Sequence, residues 1–258
     1  MEKSRFDFGS LKSLLILDTM ARGGEHGYMG VHEISEITGY NQSTVHRILN
    51  EMLQCGYVEK NVALRKYKIG MEALIMASRF IHTDTLVTMA REEMLKLNQE
   101  TTETIHLVSL VGFEVVYLSK IDAHHSVGLL SSVGKLNPVY CTSGGKAMAA
   151  YQSGEWLENY LGQVKLEKMT PATLTTPEAF RRELQTIRSL GYAMDRQEHH
   201  ANIVCVGAPI FDQTGKVAAA VSVAAPLYRF SVEKAQALAP RIREGARKIS
   251  EQLGAHVK

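Results

Sequence analysis

The sequence predicts an α+β protein of two domains: a helix-helix-helix-hairpin unit, a helical connector, and a larger mixed unit. Three observations carry this. Residues 1–70 hold three segments with apolar residues at helical spacing, each closed by glycine, then two alternating segments of hairpin type. Residues 71–83 form an Ala-, Met- and Leu-rich run without proline or glycine. Beyond Glu100 the apolar period drops to two and strands alternate with helices. The expected divisions are 1–70, 71–83 and 84–258, and a chain of 258 residues suits two domains.

The first helix spans about Ser10 to Ala21, with Leu11, Leu14, Leu15 and Leu17 on a broad apolar face, and Gly23-Gly24 breaks it. The second spans Val31 to Thr38, with Val31, Ile34 and Ile37 three apart and Gly39 at the position after its C-terminus. The third follows Tyr40-Asn41. Val45, Ile48, Leu49, Met52 and Leu53 line one of its faces, Asn41 caps it and Gly56 ends it. Tyr57–Lys60 and Lys66–Ile69 alternate as a hairpin. Met71–His82 is the connector helix, and Thr83-Asp84 caps another reaching about Asn98. Thr104–Val111, Glu114–Ser119 and Val127–Ser132 read as strands, and Ser143–Gln152 as a helix with a glycine pair in its first turn. Pro177–Leu190 is a helix with Thr176 as cap, Pro177 in its first turn and Gly191 as stop. Ile203–Phe211 and Val217–Ala225 are strands around an Asp212–Gly215 turn, and Ser231–Leu253 is a closing helix, kinked at Pro240.

Composition excludes several classes. With 45% hydrophobic and 22% charged residues the chain is an ordinary globular one, neither collagen-like nor disordered nor fibrous. The apolar stretch Val217–Ala225 is far shorter than the roughly 20 residues that span a bilayer. Met1–Arg5 opens a charged segment without a signal-peptide core, so no secretory leader and no membrane partner are expected. Cys55, Cys141 and Cys205 are odd in number and scattered. They predict small buried residues in a reducing cytoplasm. Residues 1–80 carry 10 basic and 9 acidic side chains. Neither half is a polycation, so a nucleic-acid reading rests on local placement.

That placement is specific. A glycine-containing turn between helices two and three is a helix-turn-helix arrangement. With the apolar face of helix three inward, Gln42, Ser43, His46, Arg47 and Asn50 face outward, where such side chains reach base edges in a major groove. Ser43 and Thr44 at the helix N-terminus favour a phosphate oxygen, and Arg47 can fork onto guanine or grip a phosphate. Lys60, Arg65, Lys66 and Lys68 make the hairpin basic, as in a wing that tracks the backbone. A solvated polar face gives the same pattern in helix three alone. The order of turn, helix, glycine stop and basic hairpin tips the balance to double-stranded DNA.

Ser43-Thr44-Val45-His46-Arg47-Ile48-Leu49, then Gly56-Tyr57-Val58 and Tyr67-Lys68-Ile69-Gly70, resemble the winged helix-turn-helix of IclR-type bacterial transcriptional regulators. In the second half Glu103-Thr104, Val116–Lys120, Gly144-Gly145-Lys146-Ala147, Thr170–Thr173, Gly191-Tyr192, Asp195 with Glu198, and Cys205 through Ile210 resemble that family's effector domain. The resemblance spans nearly the whole chain in order. It implies a GAF-like α/β domain that binds a small organic effector, with Leu129, Ser143, Gly144, Asp195, Ile203, Cys205 and Ser222 lining the pocket. It also implies a homodimer assembling as a dimer of dimers. This chain departs from the family pattern in three places. Ala224 stands where a second serine is frequent, Asn202 where glycine is common, and Gln197 where a second acid is common.

The residues offer their own reasons for a pocket, and rivals to them. Gly144-Gly145 can admit a ligand to backbone N–H groups or serve helix–sheet packing. Cys205 and Ser222 can face a shared cavity or fill plain core, and Asp195 reads as a loop carboxylate between a helix stop and a strand. Gly144–Ala147 is not a P-loop, because Tyr140 replaces the first glycine and Ala147 the Ser/Thr. His124-His125 and His199-His200 are adjacent pairs, without the convergent spacing of metal ligands. No cofactor, metal or catalytic dyad is expected. The reading is a DNA-binding regulator modulated by a small metabolite, a carboxylate or sugar acid. Its alternatives are a small-molecule enzyme and a protein-interaction module, each with a helix-turn-helix appendage.

Overall fold

The computed structural model describes residues 11–23, 27–83, 85–126 and 128–255, with backbone only for 81–83. The chain divides into two compact units, Met1–Thr83 and Asp84–Lys258. In the first, α1 (Lys12–Arg22), α2 (Val31–Thr38) and α3 (Gln42–Gln54) precede an antiparallel hairpin of β1 (Val58–Asn61) and β2 (Lys66–Ile69), followed by α4 (Met71–Thr83). The backbone N–H of Gly30 donates to Glu33 Oε2 at 2.6 Å and opens α2, and Gly39 ends it at φ +71°. Asn41 Oδ1 accepts the N–H of Thr44 at 2.8 Å and caps α3. Val45, Leu49, Ile34, Val58 and Tyr67 share one small core with Ile16 and Met20. Met29 and Tyr67 exchange two backbone hydrogen bonds of 2.8 Å, which fastens the hairpin to the segment before α2. This is a helix-turn-helix with a two-stranded wing.

The second unit holds α5 (Thr85–Thr101), β3 (Thr104–Val111), β4 (Glu114–Ile121), β5 (Leu136–Pro138), α6 (Ser143–Ala149), α7 (Gly154–Gln163), α8 (Pro177–Leu190), β6 (Ala193–Arg196), β7 (Ile203–Phe211), β8 (Val217–Pro226) and α9 (Val232–Gln252). Its strands form one antiparallel sheet ordered β5-β4-β3-β8-β7-β6. Ile105, Leu107, Val206, Val221 and Val223 alternate onto one face and are buried under α5 and α9. The other face carries Val108 and Ala220 under α6, with Tyr160, Phe180 and Leu184 of α7 and α8 closing that core. Among the described residues, no helix is long and apolar enough to cross a membrane.

Several expectations are corrected. Residues 128–132 are not a strand; Lys120 Nζ holds the carbonyls of Leu129 at 3.0 Å and Ser131 at 2.9 Å, so that backbone is satisfied outside the sheet. The strand beside β4 is β5, three residues ending at Pro138, whose missing N–H suits an edge. Asp195 lies within strand β6, paired with Cys205 of β7, and not in a loop. In α1 the inward residues are Ile16 and Met20, while Leu14 of the leucine face is 47% exposed. Cys55 terminates α3 and is exposed. α6 is shorter than expected, ending at Ala149. The expected start at Ser10, the break at Gly24, the cap at Asp84 and Val127 lie outside the described residues.

Candidate functional site

Two surfaces hold the residues singled out above. On α3, burial of Val45, Ile48, Leu49 and Met52 leaves Gln42, Ser43, His46 and Arg47 exposed and Thr44 and Asn50 half-buried. These side chains form an ordered row. Ser43 Oγ donates to Asn41 Oδ1 at 2.9 Å, Asn50 Nδ2 and His46 Nδ1 lie 3.3 Å apart, and Arg47 pairs with Glu51 one turn on at 2.5 Å. The wing is less free than its charge suggests. Lys66 Nζ reaches Glu33 of α2 at 2.8 Å and Lys68 reaches Glu59 at 2.9 Å, whereas Arg65 is exposed at the turn at φ +51°. Lys66 beside Glu33 holds that carboxyl below its ordinary range. Val62 and Leu64 add exposed apolar side chains to the wing tip.

In the second unit the face of the sheet beside α6 opens into a cavity of about 390 Å3. Leu129, Ser143, Gly144, Asp195, Ile203, Cys205 and Ser222 all line it. Register explains the convergence. His106 pairs with Ser222, Ser222 with Gly207, Cys205 with Ala224, and Asp195 with Cys205, so these positions share one face. The glycine pair has a packing role. A Cβ on Gly144 would meet Val108 Cγ2 at 2.5 Å, and one on Gly145 would meet Val139 O at 2.6 Å. Sequence reasoning missed His106, Tyr117 and Asn137, because nothing local distinguishes a polar residue on a cavity strand from one facing solvent, and also Lys135, which precedes β5. Asn202 sits at φ +64°, a left-handed position that asparagine tolerates and glycine favours.

Burial sets the electrostatics. His106 is pushed down to about 3 by desolvation, with the nearby Lys120 charge adding to it, so the ring is neutral and hydrogen bonds through Nε2 to Ser131 Oγ at 2.7 Å. Burial raises the Cys205 thiol far above its usual range, and its Sγ lies 3.8 Å from Asp195 Oδ2. Behind the cavity, Lys146 is fully buried. Its Nζ lies 2.6 Å from both Glu198 oxygens and 3.1 Å from Glu183. Among the described residues no three metal-ligating side chains come together.

The Asp195 carboxyl is raised to about 7, first by burial and then by the Glu198 charge, although it accepts the Glu198 N–H at 2.6 Å. Because the folded value lies above the unfolded one of 3.8, the folded state holds an extra proton between them. The stability this confers is complete below the unfolded value and is lost as pH rises through about 7. We therefore expect Asp195→Asn to flatten the pH dependence of unfolding. The gap between variant and wild type should change by roughly 2–4 kcal/mol from about pH 4 to 8 in urea titrations. A constant gap would refute the assignment.

Comparison with known proteins covers both units. Residues 78–251 match the family model described as bacterial transcriptional regulator IclR C-terminal, and residues 11–62 match the IclR helix-turn-helix domain. The chain is 33% identical to the HTH-type transcriptional regulator KdgR of Escherichia coli (strain K12), over 90% of this chain and 89% of that protein. The crystal structure of the Thermotoga maritima IclR is similar at 31% identity and a TM-score of 0.72, covering 94% of this chain and 97% of that one. An IclR homologue from Microbacterium hydrocarbonoxydans, solved in complex with 4-hydroxybenzoate, is similar at 27% identity and a TM-score of 0.76, covering 94% and 99%.

Proposed function

The chain belongs to the IclR family of bacterial transcriptional regulators, and on that premise we propose that a small carboxylate in its cavity controls how it binds operator DNA. Like its relatives it is a DNA-binding transcriptional regulator and not an enzyme. Gln42, Ser43, Thr44, His46, Arg47 and Asn50 contact the duplex in a major groove, and Arg65 and Lys66 of the wing follow its backbone. Residues 71–83 link the DNA-binding and effector-binding domains. The effector touches Leu129, Ser143, Gly144, Asp195, Ile203, Cys205 and Ser222. The observation that carries this reading is that one cavity is lined by all seven of those residues. The homologue that holds 4-hydroxybenzoate supports a carboxylate ligand.

Assembly follows from α4. Met71, Leu74 and Ile75 are exposed apolar side chains on one side of that helix, a surface that pairs with the same helix of a second copy. The protein works as a homodimer, and two dimers join as a dimer of dimers.

The test is a thermal-shift screen of small carboxylates and sugar acids, followed by DNA-binding titration with each hit. A ligand bound only by the folded state raises Tm. Hits that raise Tm and leave DNA affinity unchanged would overturn the regulatory part. On the DNA side, Arg47→Ala should weaken operator binding by about 1–3 kcal/mol. Fluorescence anisotropy showing unchanged affinity would remove Arg47 from the interface.

A further inference from the structure

Each of the six strands in the second unit gives the cavity one hydrogen-bonding or sulfhydryl side chain. They are Asn137 on β5, Tyr117 on β4, His106 on β3, Ser222 on β8, Cys205 on β7 and Asp195 on β6. β5 and β6 are the two edges of the sheet, so the sheet curls until its edges share one space. Three of the six groups in this row already have partners. His106 is engaged by Ser131, and Asp195 by the Glu198 N–H and the Cys205 thiol. Asn137 differs. It is 5% exposed, and its Nδ2 has no hydrogen-bond partner among the described residues.

A buried amide N–H without an acceptor costs about 1–3 kcal/mol. The backbone offers no remedy, because Asn137 sits in the β4–β5 ladder opposite Val115, which lines the same cavity with a hydrocarbon side chain. Apolar side chains of similar size would fill the position without that cost. Its amide N–H can donate only into the cavity, so whatever fills the cavity must present a hydrogen-bond acceptor there.

We propose that Asn137 is a specificity-determining residue of the effector cavity, donating from Nδ2 to an acceptor oxygen that the ligand presents beside β5. This rests on the reading of the cavity as the effector site. It adds that the ligand carries an acceptor oxygen beside β5 in addition to its carboxylate. A hydroxylated acid chain meets this requirement. A carboxylate with an alkyl tail does not, because it would leave the amide as unpaired as before.

The experiment uses the full chain, with gluconate and galacturonate as probes and hexanoate as the deoxygenated control. Thermal shift and calorimetric titration compare wild type, Asn137→Leu and Asn137→Asp. Wild type is expected to bind at least one sugar acid more tightly than hexanoate. Asn137→Leu should weaken that binding roughly tenfold while the Tm of the unliganded variant stays level or rises, since an orphaned polar group has been removed. Asn137→Asp replaces the donor with an acceptor and should weaken it further. A purely structural asparagine would behave in the opposite way, with a lower unliganded Tm and unchanged affinity, and that result overturns the proposal. Tighter binding of hexanoate by wild type also overturns it. If wild type binds none of the probes, while other carboxylates from the wider screen still raise its Tm, the ligand class proposed here is wrong and the effector cavity stands. If nothing binds at all, the effector reading and this inference fall together.

Discussion

Lys146→Met is expected to destabilise the second unit by about 3–5 kcal/mol at neutral pH. The lysine is fully buried, and its ammonium lies within 2.6 Å of both oxygens of Glu198, itself 4% exposed. Methionine keeps the apolar stem and removes the charge, which leaves a carboxylate in the interior without its cation. The cheapest remedy is a proton. Burial already raises the Glu198 carboxyl above its ordinary range. The cost of the substitution should therefore shrink as pH falls and Glu198 is neutralised. Urea denaturation near pH 8 and pH 5 distinguishes this from simple loss of packing, which would cost the same at both. Adding Glu198→Gln to Lys146→Met should restore part of the loss, because it removes the orphaned charge.

Gly70→Ala should cost the DNA-binding unit about 3 kcal/mol or more. Gly70 joins the wing to α4, and its N–H donates to the Tyr57 carbonyl at 2.8 Å. A Cβ there would stand 2.2 Å from Gly56 O and 2.9 Å from Tyr57 C and Val58 N. All three are backbone atoms, so no rotamer change relieves the clash. The only escape is to pull the hairpin away from the end of α3, and that releases the wing. Operator affinity should fall at least tenfold, while effector-induced stabilisation of the second unit persists. Loss of both would mean that the variant is globally unfolded, and retention of full DNA affinity would show that the wing tolerates displacement.

The parts of this fold that were legible in the sequence are those with local punctuation. α2, α8, β3 and β7 have the bounds that the sequence predicts, because Gly39, Thr176 with Pro177 and Gly191 mark the helices and turns at Gly112-Phe113 and Asp212–Gly215 end the strands. α7 went unread although Ser153 caps it and Trp156, Leu157, Tyr160 and Leu161 share a face. β5 and β6, three and four residues long, are set by pairing to distant strands and leave no periodic trace. Segment 128–132 has the composition of a strand, and a lysine from β4 decides otherwise. The cavity was half legible. Motif residues such as Ser143, Asp195 and Ser222 could be named from the chain. His106 and Asn137 could not, since their inward direction is fixed only by register against β8 and β4.

Under the proposed function, the pairing of Lys66 with Glu33 and Lys68 with Glu59 limits what the wing would contribute to nucleic-acid binding. A lysine already seated on a carboxylate gains little by moving to a phosphate, because one favourable contact is exchanged for another. Fewer condensed cations are shed from the duplex than four wing charges suggest, so attraction to arbitrary DNA is muted. On that proposal discrimination would fall to α3, and the regulator would spend less of its time parked on the wrong stretch of chromosome.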